Sequence, residues 1–415
     1  MHDPQQLSFL GSINALLALG RIPLASEVPL WTTFGCILAA RLFPSTGAEG
    51  LLSIDWWVVF QCAFTTWATN VSINYGNEYF DWNLDRPGQV ESIKRAIKVR
   101  QQKERGEVKE EEAREINEKI MGNTTRIIHD GTFPPYTALL LGAAWQAAVV
   151  ALIFYSRSQD SSLCLQKSNI TGKPHRSGAG SPYKGFALQI GIVSSVLSQM
   201  YVGPPIRLHY HGLGELVSAL LLNPITILWG MTGYYSATTD KTVHISDIFY
   251  KSTSGFSLGP LWILLAAMYC FEQARIFIMH IQDIEADIAG GKITFVVRVG
   301  HRIAARLYVV FNVLALLLFG LFTKYTQSRS LGTATLHSQS VSQGWIQGLS
   351  VVLLYSIPIM IITAKSLFAS IPPHRLTQPT KGLLPALPLT YLPAIVSLQV
   401  LLSPIVLSVF TLIHW

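Results

Sequence analysis

The sequence predicts an all-α membrane protein that crosses the bilayer several times, and two observations support this class. The 415 residues are 50% hydrophobic and only 13% charged, whereas an average soluble domain is about 25% charged. The apolar residues also gather in long runs, and a spanning helix needs about 20 of them. The net charge of +7 does not point to a nucleic-acid partner, because a nucleic-acid-binding chain would not be half apolar.

About nine stretches of the chain are apolar enough to be spanning helices. The stretch from Tyr136 to Tyr155 contains no charged residue, whereas Arg21, Glu27 and Arg41 crowd the first stretch. The candidate spans lie approximately at residues 27–43, 55–77, 135–155, 186–203, 213–235, 256–281, 303–323, 345–370 and 387–413.

A charged insert at residues 86–125 separates the second and third predicted spans. Between Lys94 and Lys119, many glutamates stand three or four residues from a lysine or arginine, which favours a solvated helix. We interpret the insert as a soluble cytosolic segment that takes no part in catalysis.

Positive charge predicts the orientation of the chain in the membrane. With nine spans and a cytoplasmic N-terminus, about 20 of the 31 Lys and Arg residues fall on the cytoplasmic side, as the positive-inside rule requires. The loop at Asn169-Ile-Thr171 then lies on the other side, and it contains a glycosylation sequon. We expect a multi-pass protein of the endoplasmic reticulum or another internal membrane, with its active site facing the cytosol.

Polar residues at helical spacing mark the end of the second predicted span. Asn77, Asp81 and Asp85 recur every four residues, so at about 100° per residue they share one face of a helix. Ionisable groups that face inward at the end of a span are costly and usually functional. Three oxygen donors on one face suit Mg²⁺, which prefers hard oxygen ligands and often shares them with phosphate.

A second acidic motif ends the sixth predicted span, where Asp283 and Asp287 repeat the four-residue spacing. Gly290, Gly291 and Lys292 follow it. Glycines allow backbone to approach an anion closely, and a lysine binds phosphate as a point charge. One such motif alone is most often a solvated acidic face.

Two acidic motifs at the same-side ends of separate spans predict a metal site. Several carboxylates cannot share a small cavity without cations. Divalent metals that join them to a diphosphate neutralise the site, bind the substrate and stabilise the leaving group. The predicted Mg²⁺ ligands are Asn77, Asp81, Asp85, Asp283 and Asp287, of which the four aspartates are the predicted catalytic residues.

Three other parts of the chain carry candidate substrate contacts. Tyr201, Arg207 and Tyr210 belong to a Gly/Pro-rich stretch after the fourth span, which is more polar than an ordinary turn between helices. Arg207 would pair either with diphosphate or with lipid headgroups. Arg126 would either contact the diphosphate or anchor the cytoplasmic end of the third span. Glu272 lies within the sixth span, where it either pairs with a neighbouring arginine at i+3 or lines the cavity near the acceptor.

These motifs resemble those of the UbiA superfamily of intramembrane prenyltransferases. The first motif of that family reads N-D-x-x-D-x-x-x-D, and here Glu78 stands in place of its first aspartate between Asn77 and Asp81. The second motif, D-x-x-x-D, matches Asp283 and Asp287. Stretches similar to the dihydroxynaphthoate-prenylating, menaquinone-forming branch are Tyr201-x-Gly-Pro-Pro, Gly212-Leu-Gly-Glu215 and the run from residue 291 to 300.

The resemblance covers nearly the whole chain and implies one UbiA-like transmembrane prenyltransferase domain over residues 1–415, interrupted by the 86–125 insert. It implies a bundle around a central cavity, with two Mg²⁺ ions between the aspartates and a prenyl diphosphate. Ionisation would give an allylic cation that an aromatic or quinoid acceptor attacks. The expected partners are therefore a prenyl diphosphate, such an acceptor and the lipid bilayer.

One departure from that branch concerns the acceptor. The branch has Asn-Asn-x-Arg before the second motif, where this chain has Met279-His280-Ile281-Gln282. His280 and Gln282 are thus candidate substrate contacts, and a naphthoate acceptor does not follow. Two alternatives stay open: a UbiA-type terpene cyclase, in which the substrate's own double bonds capture the cation, and a carrier whose aspartates bind cations without chemistry.

Overall fold

A computed structural model describes residues 9–22, 24–43, 54–104, 133–167, 180–239, 241, 243–244, 261–289, 291–332, 336–369, 387 and 391–413. Within these residues the chain is helical and contains no strand, so the all-α prediction is confirmed. The α-helices are α1 Phe9–Leu19, α2 Glu27–Leu42, α3 Trp56–Glu104, α4 Pro135–Lys167, α5 Gly185–Gln199, α6 Gly214–Leu220, α7 Thr226–Thr239, α8 Leu261–Ala289, α9 Phe295–Gly332, α10 Leu336–Ala369 and α11 Leu392–Ile413.

Several helical segments in the described ranges are long and apolar enough to cross a membrane. There are six of them: Pro135–Gln159, Gly214–Thr239, Leu261–Glu285, Phe295–Tyr325, Ile346–Ala369 and Leu392–Ile413. Helices α2 and α5 are shorter, with 16 and 15 residues, than the roughly 20 that a span requires. The count of nine spans therefore stays a prediction.

The outer surface of these helices is rich in large apolar side chains. Tyr136, Leu140 and Phe154 of α4 are 60%, 62% and 70% exposed, and Leu317 of α9 and Leu354 of α10 are 66% and 76% exposed. Soluble proteins rarely expose so much contiguous apolar surface, whereas hydrocarbon chains solvate it without cost. The chain is an integral, multi-pass membrane protein.

The helices form a closed bundle. Consecutive helices from α8 to α11 pack against one another, and α11 returns to pack on α2. Helix α2 also packs on α3 and α7, and α3 on α4. The contact between the last helix and α2 closes the bundle around an interior space.

Two glycines set the close approach of α2 and α7. A Cβ atom at Gly35 would lie 2.2 Å from the carbonyl oxygen of Ile227, and one at Gly230 would lie 2.2 Å from that of Thr32. Small residues at such crossings let two helix backbones touch, which drives packing in lipid. Any larger residue at either position would push the two helices apart.

The connection between α6 and α7 is a π-helical turn, Leu221–Ile225, that contains Pro224. Proline has no backbone N–H to donate, and π turns are frequent at functional sites. Asn223 in this turn is fully buried. The turn therefore brings a polar side chain into the bundle interior.

Helix α3 continues well past the predicted span end at residue 77, through residue 104 and so into the charged insert. This agrees, as far as residue 104, with the helix predicted between Lys94 and Lys119. The remainder of the insert, up to residue 125, lies outside the described residues.

Candidate active site

The bundle encloses a cavity of about 610 Å³, the central cavity that the resemblance led us to expect. Its walls come from α2, α3, α8 and α11 and from the π-helical turn. Asn70, Asn74 and Asn77 line it from one face of α3, because residues three or four apart point the same way on a helix. Leu221 and Leu398 contribute to the apolar wall.

Asp81 lies one helical turn beyond Asn77 and is held in a buried polar contact. Lys292 donates from Nζ to its Oδ2 at 2.8 Å, and the hydroxyl of Tyr210 donates to its Oδ1. Asp81 and Lys292 are only 9% and 7% exposed. The structure thus brings together three predicted site residues that are far apart in the sequence.

Asp287 is the buried member of the second acidic motif, with 6% of its surface exposed. The hydroxyl of Thr294 donates to its Oδ2 at 3.4 Å, and the N–H of Lys292 donates to its backbone carbonyl at 2.8 Å. The turn after α8 therefore folds over Asp287. Asp283, one turn earlier, is exposed, so the shared spacing does not give the two aspartates the same environment.

Two histidines adjoin Asp287. One ligand atom each of His209, His280 and Asp287 lie within 4.8 Å of one another. The ring of His209 is also 4.8 Å from that of Tyr201 and 5.1 Å from that of His280, measured between centroids. We call Asp81, Tyr210, Asp287, Lys292 and these two histidines the helix-end site.

Burial dominates the protonation of this site. It lowers the pKa of His209 to about 3, with a further contribution from the positive charge of Lys292. Burial also raises the pKa of Tyr201, and the charges of Glu215, Asp81 and Asp287 act in the same direction. The imidazole of His209 and the phenol of Tyr201 are thus both neutral near pH 7.

The other predicted site residues are spread around this centre. Asn77, Tyr201 and His280 line the cavity. Arg207 is exposed, with its guanidinium 5.7 Å from the ring centroid of Tyr210, and Gln282 is exposed on α8. Asp85 lies in α3 with its side chain outside the described residues, as is all of Arg126.

A second group of charges lies in the wall of the cavity. Arg275 donates from Nε to both carboxylate oxygens of Glu272, at 3.0 and 3.1 Å, and its Nη2 also contacts Glu272. The same Nη2 lies 3.3 Å from Oε2 of Glu27 in α2. Asn223 donates to Glu272 at 3.1 Å from the π-helical turn. We call Glu27, Glu272 and Arg275 the cavity-wall cluster.

Three residues in or beside these groups, Glu27, His209 and Asn223, were not among the site residues predicted from the sequence. A charged residue in the first apolar stretch is unusual and marks Glu27, but the sequence does not show that its partner is Arg275 on another helix. Nothing in the sequence marks Asn223 as a site residue apart from its position beside Pro224. Glu78, which replaces the first aspartate of the family motif, has a partner in the structure. Its Oε1 accepts a hydrogen bond from Arg21 at 3.1 Å.

No protein-family model matches this sequence, and no curated protein sequence does either. Among solved structures, the chain is similar to digeranylgeranylglyceryl phosphate synthase, with 13% identity, 97% of this chain and 98% of that chain covered, and a TM-score of 0.47. It is also similar to a UbiA homolog from Archaeoglobus fulgidus bound to GPP and Mg²⁺, with 10% identity, 95% and 99% coverage, and a TM-score of 0.49. The same homolog bound to DMAPP and Mg²⁺ is 14% identical, with a TM-score of 0.46.

The helix-end site and the cavity are continuous. Asn77 and His280 line the cavity and precede Asp81 and Asp287 on α3 and α8. Asp81 and Asp287 are two buried carboxylates at this end of the cavity, and the ammonium of Lys292 contacts the first of them. This arrangement can bind a cation at the cavity end and, through that cation, an anionic group whose apolar part lies in the cavity.

Proposed function

We propose that this protein is an intramembrane prenyltransferase of the UbiA superfamily. It would use Mg²⁺ to bind and ionise a prenyl diphosphate, and would move the isoprenyl chain to an aromatic or quinoid acceptor. The observation that carries the proposal is the convergence of Asp81 and Asp287, from two distant acidic motifs, on Lys292 beside a cavity of about 610 Å³. That volume is in the usual range for ligand pockets, about 300–1,000 Å³.

The donor set on α3 fits Mg²⁺. Asn77, Asp81 and Asp85 offer amide and carboxylate oxygens, the hard ligands that this ion prefers. We propose that these residues hold the metal together with Asp283 and Asp287 of α8. When bound, Mg²⁺ supplies a Lewis acid that withdraws negative charge from the diphosphate.

Positively charged side chains beside the aspartates would receive the diphosphate. Lys292 is buried and already oriented by Asp81. Arg207 has a left-handed φ of 50°, an uncommon conformation that aims its side chain over Tyr210. When the carbon–oxygen bond breaks, both electrons leave with the diphosphate, and Lys292 and Arg207 stabilise the added charge. Arg126 is a further proposed contact.

The polar wall of the cavity suits the acceptor better than the isoprenoid. It presents the hydroxyls of Ser198, Ser218 and Ser397 and the guanidinium of Arg275. Glu272 would act by orienting Arg275, and Tyr201, His280 and Gln282 would border the acceptor. Attack on the allylic cation forms the new bond, and the acceptor then loses a proton.

The isoprenyl tail has a separate apolar route. A space of about 80 Å³ adjoins the cavity and shares Ile73, Leu221 and Leu222 of its lining. Ile190 and Trp229 also line it. We propose that the tail extends from the helix-end site into this space, where burial of each CH₂ contributes about 0.8 kcal/mol.

The cyclase alternative is favoured less by this lining. A cyclase guides its cation through several positions, and aromatic faces stabilise cations at close range. Among the described residues, Tyr201 and His280 supply the aromatic rings that line the 610 Å³ cavity. A lining with so few rings supports capture by an external acceptor.

A product analysis tests the proposal. Purified protein in detergent is incubated with Mg²⁺ and farnesyl or geranylgeranyl diphosphate, with and without a panel of phenols and hydroquinones. We expect diphosphate release that requires an added acceptor, and a product with the summed mass of acceptor and prenyl group. A cyclic hydrocarbon or alcohol formed without acceptor would identify a cyclase, and no release with any donor would favour a carrier.

Asp55→Asn is a matched control for the acidic-motif variants. Asp55 lies at the other end of α3, where its Oδ1 accepts the N–H groups of Trp57 and Val58. Asparagine preserves such a helix cap. Turnover should therefore survive this change and fail when Asp81 is changed.

We also propose that the protein lies in the membrane of the endoplasmic reticulum or in another internal membrane, with its active site facing the cytosol. The proposal is supported by the distribution of Lys and Arg, and it places Asn169 in the lumen. A glycosidase should lower the apparent mass of the expressed protein, and this shift should be absent in Asn169→Gln. Glycosylation at a new sequon introduced within residues 86–125 would instead show that the protein has the opposite orientation.

A further inference from the structure

The cavity-wall cluster holds two carboxyl groups but one guanidinium. Arg275 contacts Glu272 in its own helix, and its Nη2 also lies 3.3 Å from Oε2 of Glu27 in α2. The three side chains are at most 10% exposed, and those of Glu27 and Arg275 line the cavity. Because both carboxyl groups use the same guanidinium, the cluster has no positive charge left for an anionic ligand.

This charge balance limits what the proposed acceptor can be, and the inference rests on the proposed prenyl transfer. We propose that the acceptor is a neutral hydroxyarene, a phenol or hydroquinone without a carboxylate, and that one of its hydroxyl groups donates to Oε1 of Glu27. Glu27 is then the residue that determines acceptor specificity. Quinones are excluded because they have no hydroxyl group to donate, and hydroxyarenes with a ring carboxylate are excluded by charge.

Glu27 itself calls for a hydrogen-bond donor in the ligand. Its Oε2 faces Arg275, whereas its Oε1 is buried and has no hydrogen-bond partner among the described residues. A buried polar atom without a partner is unfavourable. The last torsion of a glutamate side chain is broad and roughly two-fold, so the carboxylate can turn Oε1 toward a ligand in the cavity. A hydroxyl group supplies the missing donor, which an ether or a carbonyl oxygen cannot do.

The rest of the described lining does not favour a carboxylate either. Its other arginine is Arg21, whose Nη2 donates to Oε1 of Glu78 at 3.1 Å, and the side chain of Glu78 is 1% exposed. A carboxylate beside the cavity-wall cluster would add a buried negative charge without a partner, which is costly. Uncharged groups that suit a second hydroxyl are present at Asn70, Ser198 and Ser218.

Binding of acceptor probes in the absence of a prenyl donor tests this inference. The probes are a naphthohydroquinone, its dimethyl ether, and the same hydroquinone with a ring carboxylate, so they differ only in the groups at issue. Dissociation constants are measured under argon by calorimetry in detergent, with empty micelles as the blank. We expect the hydroquinone to bind at least about 10-fold more tightly than either of the others, the effect of one hydrogen bond to a charged group.

Glu27→Gln should change the order of preference among the probes. The amide can keep its oxygen toward Arg275 and present its NH₂ group, a donor, to the cavity. The hydroquinone should then lose about 10-fold in affinity, while the ether and the carboxylate should bind as tightly as before or more tightly. Asp55→Asn makes the same carboxylate-to-amide change at the other end of α3, in a helix cap, and should keep the original preference.

Several results would overturn the inference. They are equal affinity for the hydroquinone and either of the other probes, tightest binding of the carboxylate, no binding of any probe, or an unchanged preference in a folded Glu27→Gln variant. The probe series in the unaltered protein decides the question even where the variant does not fold. A hydroquinone preference without prenyl transfer would reject only the proposed function. Equal transfer to the hydroquinone and to its carboxylate would reject only this inference.

Discussion

The helix-end site and the cavity-wall cluster are both buried groups of charges, but their bonding differs. In the cavity-wall cluster, Arg275 is bound by Glu272 and Glu27 and also contacts Met279 and Ser397. In the helix-end site, Asp81 accepts hydrogen bonds from Lys292 and Tyr210. A carboxylate has about four acceptor positions, so Asp81 keeps room for a cation.

This difference separates a structural role from a binding role. A buried guanidinium bound by carboxylates, a thioether and a hydroxyl group is fixed in place, and loss of its charge leaves buried carboxylates without compensation. Carboxylates at helix ends, beside a cavity, can exchange a lysine contact for a metal ion. We therefore expect changes in the helix-end site to remove activity, and changes in the cavity-wall cluster to reduce stability first.

The largest expected effect is loss of turnover in Asp81→Ala, Asp283→Ala and Asp287→Ala. Each change removes a proposed metal ligand, and loss of a single electrostatic contact to developing charge commonly costs about 100- to 1,000-fold in rate. Diphosphate release measures the effect, and gel filtration in detergent shows whether the protein remains folded. Near-normal rates in any of the three would contradict the assignment of that aspartate.

The next largest effect is a loss of stability in Arg275→Leu. The change leaves Glu27 and Glu272 facing each other in a buried wall, and breaking a buried ion pair in this way costs about 3–5 kcal/mol. The midpoint of thermal unfolding in detergent should fall clearly. Arg302→Leu, at an exposed position on α9, is the control and should change the midpoint little. Equal midpoints in the two variants would mean that the cavity-wall cluster does not hold the bundle together.

Gly214 offers a way to disturb the helix-end site without touching the cavity-wall cluster. A Cβ atom there would lie 2.7 Å from Cα of His209 and 2.8 Å from the ring of Tyr201. Because backbone is involved, the turn must shift, and we expect Gly214→Ala to cost about 1–3 kcal/mol and to lower turnover. Thermal unfolding in detergent and diphosphate release measure the two effects. In the control Gly320→Ala a Cβ meets nothing within 4 Å, so both properties should be retained.

The sequence allowed the helices and the paired acidic motifs to be predicted, because both are local patterns. Apolar runs indicate helices in contact with lipid, and the four-residue spacing between Asn77 and Asp81 indicates that the two residues share one face of a helix. The i,i+3 pair of Glu272 and Arg275 was one of the two open interpretations, and the structure contains it. These features depend on residues within a few turns of one another.

Contacts between distant segments could not be predicted in the same way. Lys292 and Asp81 are 211 residues apart, and their contact depends on how the turn after α8 folds over the end of α3. The same turn buries Asp287 and leaves Asp283 exposed, although their spacing is that of a common face. Glu27 was noticed only as a charge in an apolar stretch, because its partner is on another helix.

Glu27 gives the smallest predicted effect and the sharpest comparison between the two regions. Its carboxylate lines the cavity, and its Oε1 is buried without a hydrogen-bond partner among the described residues. In Glu27→Gln, Arg275 keeps Glu272, so the bundle should remain folded. If this oxygen binds the acceptor, the KM for the acceptor should rise by about 10-fold, since a hydrogen bond to a charged group contributes about 1.5–3 kcal/mol.

The KM for the prenyl diphosphate is the internal control for Glu27→Gln, because that substrate would bind at the helix-end site. An unchanged donor KM with a raised acceptor KM would assign the cavity wall to the acceptor and the helix ends to the donor. A parallel rise in both constants would instead mean that Glu27 acts through the packing of the bundle. In that case the cavity-wall cluster would be structural throughout, and the acceptor would have to bind elsewhere along the cavity.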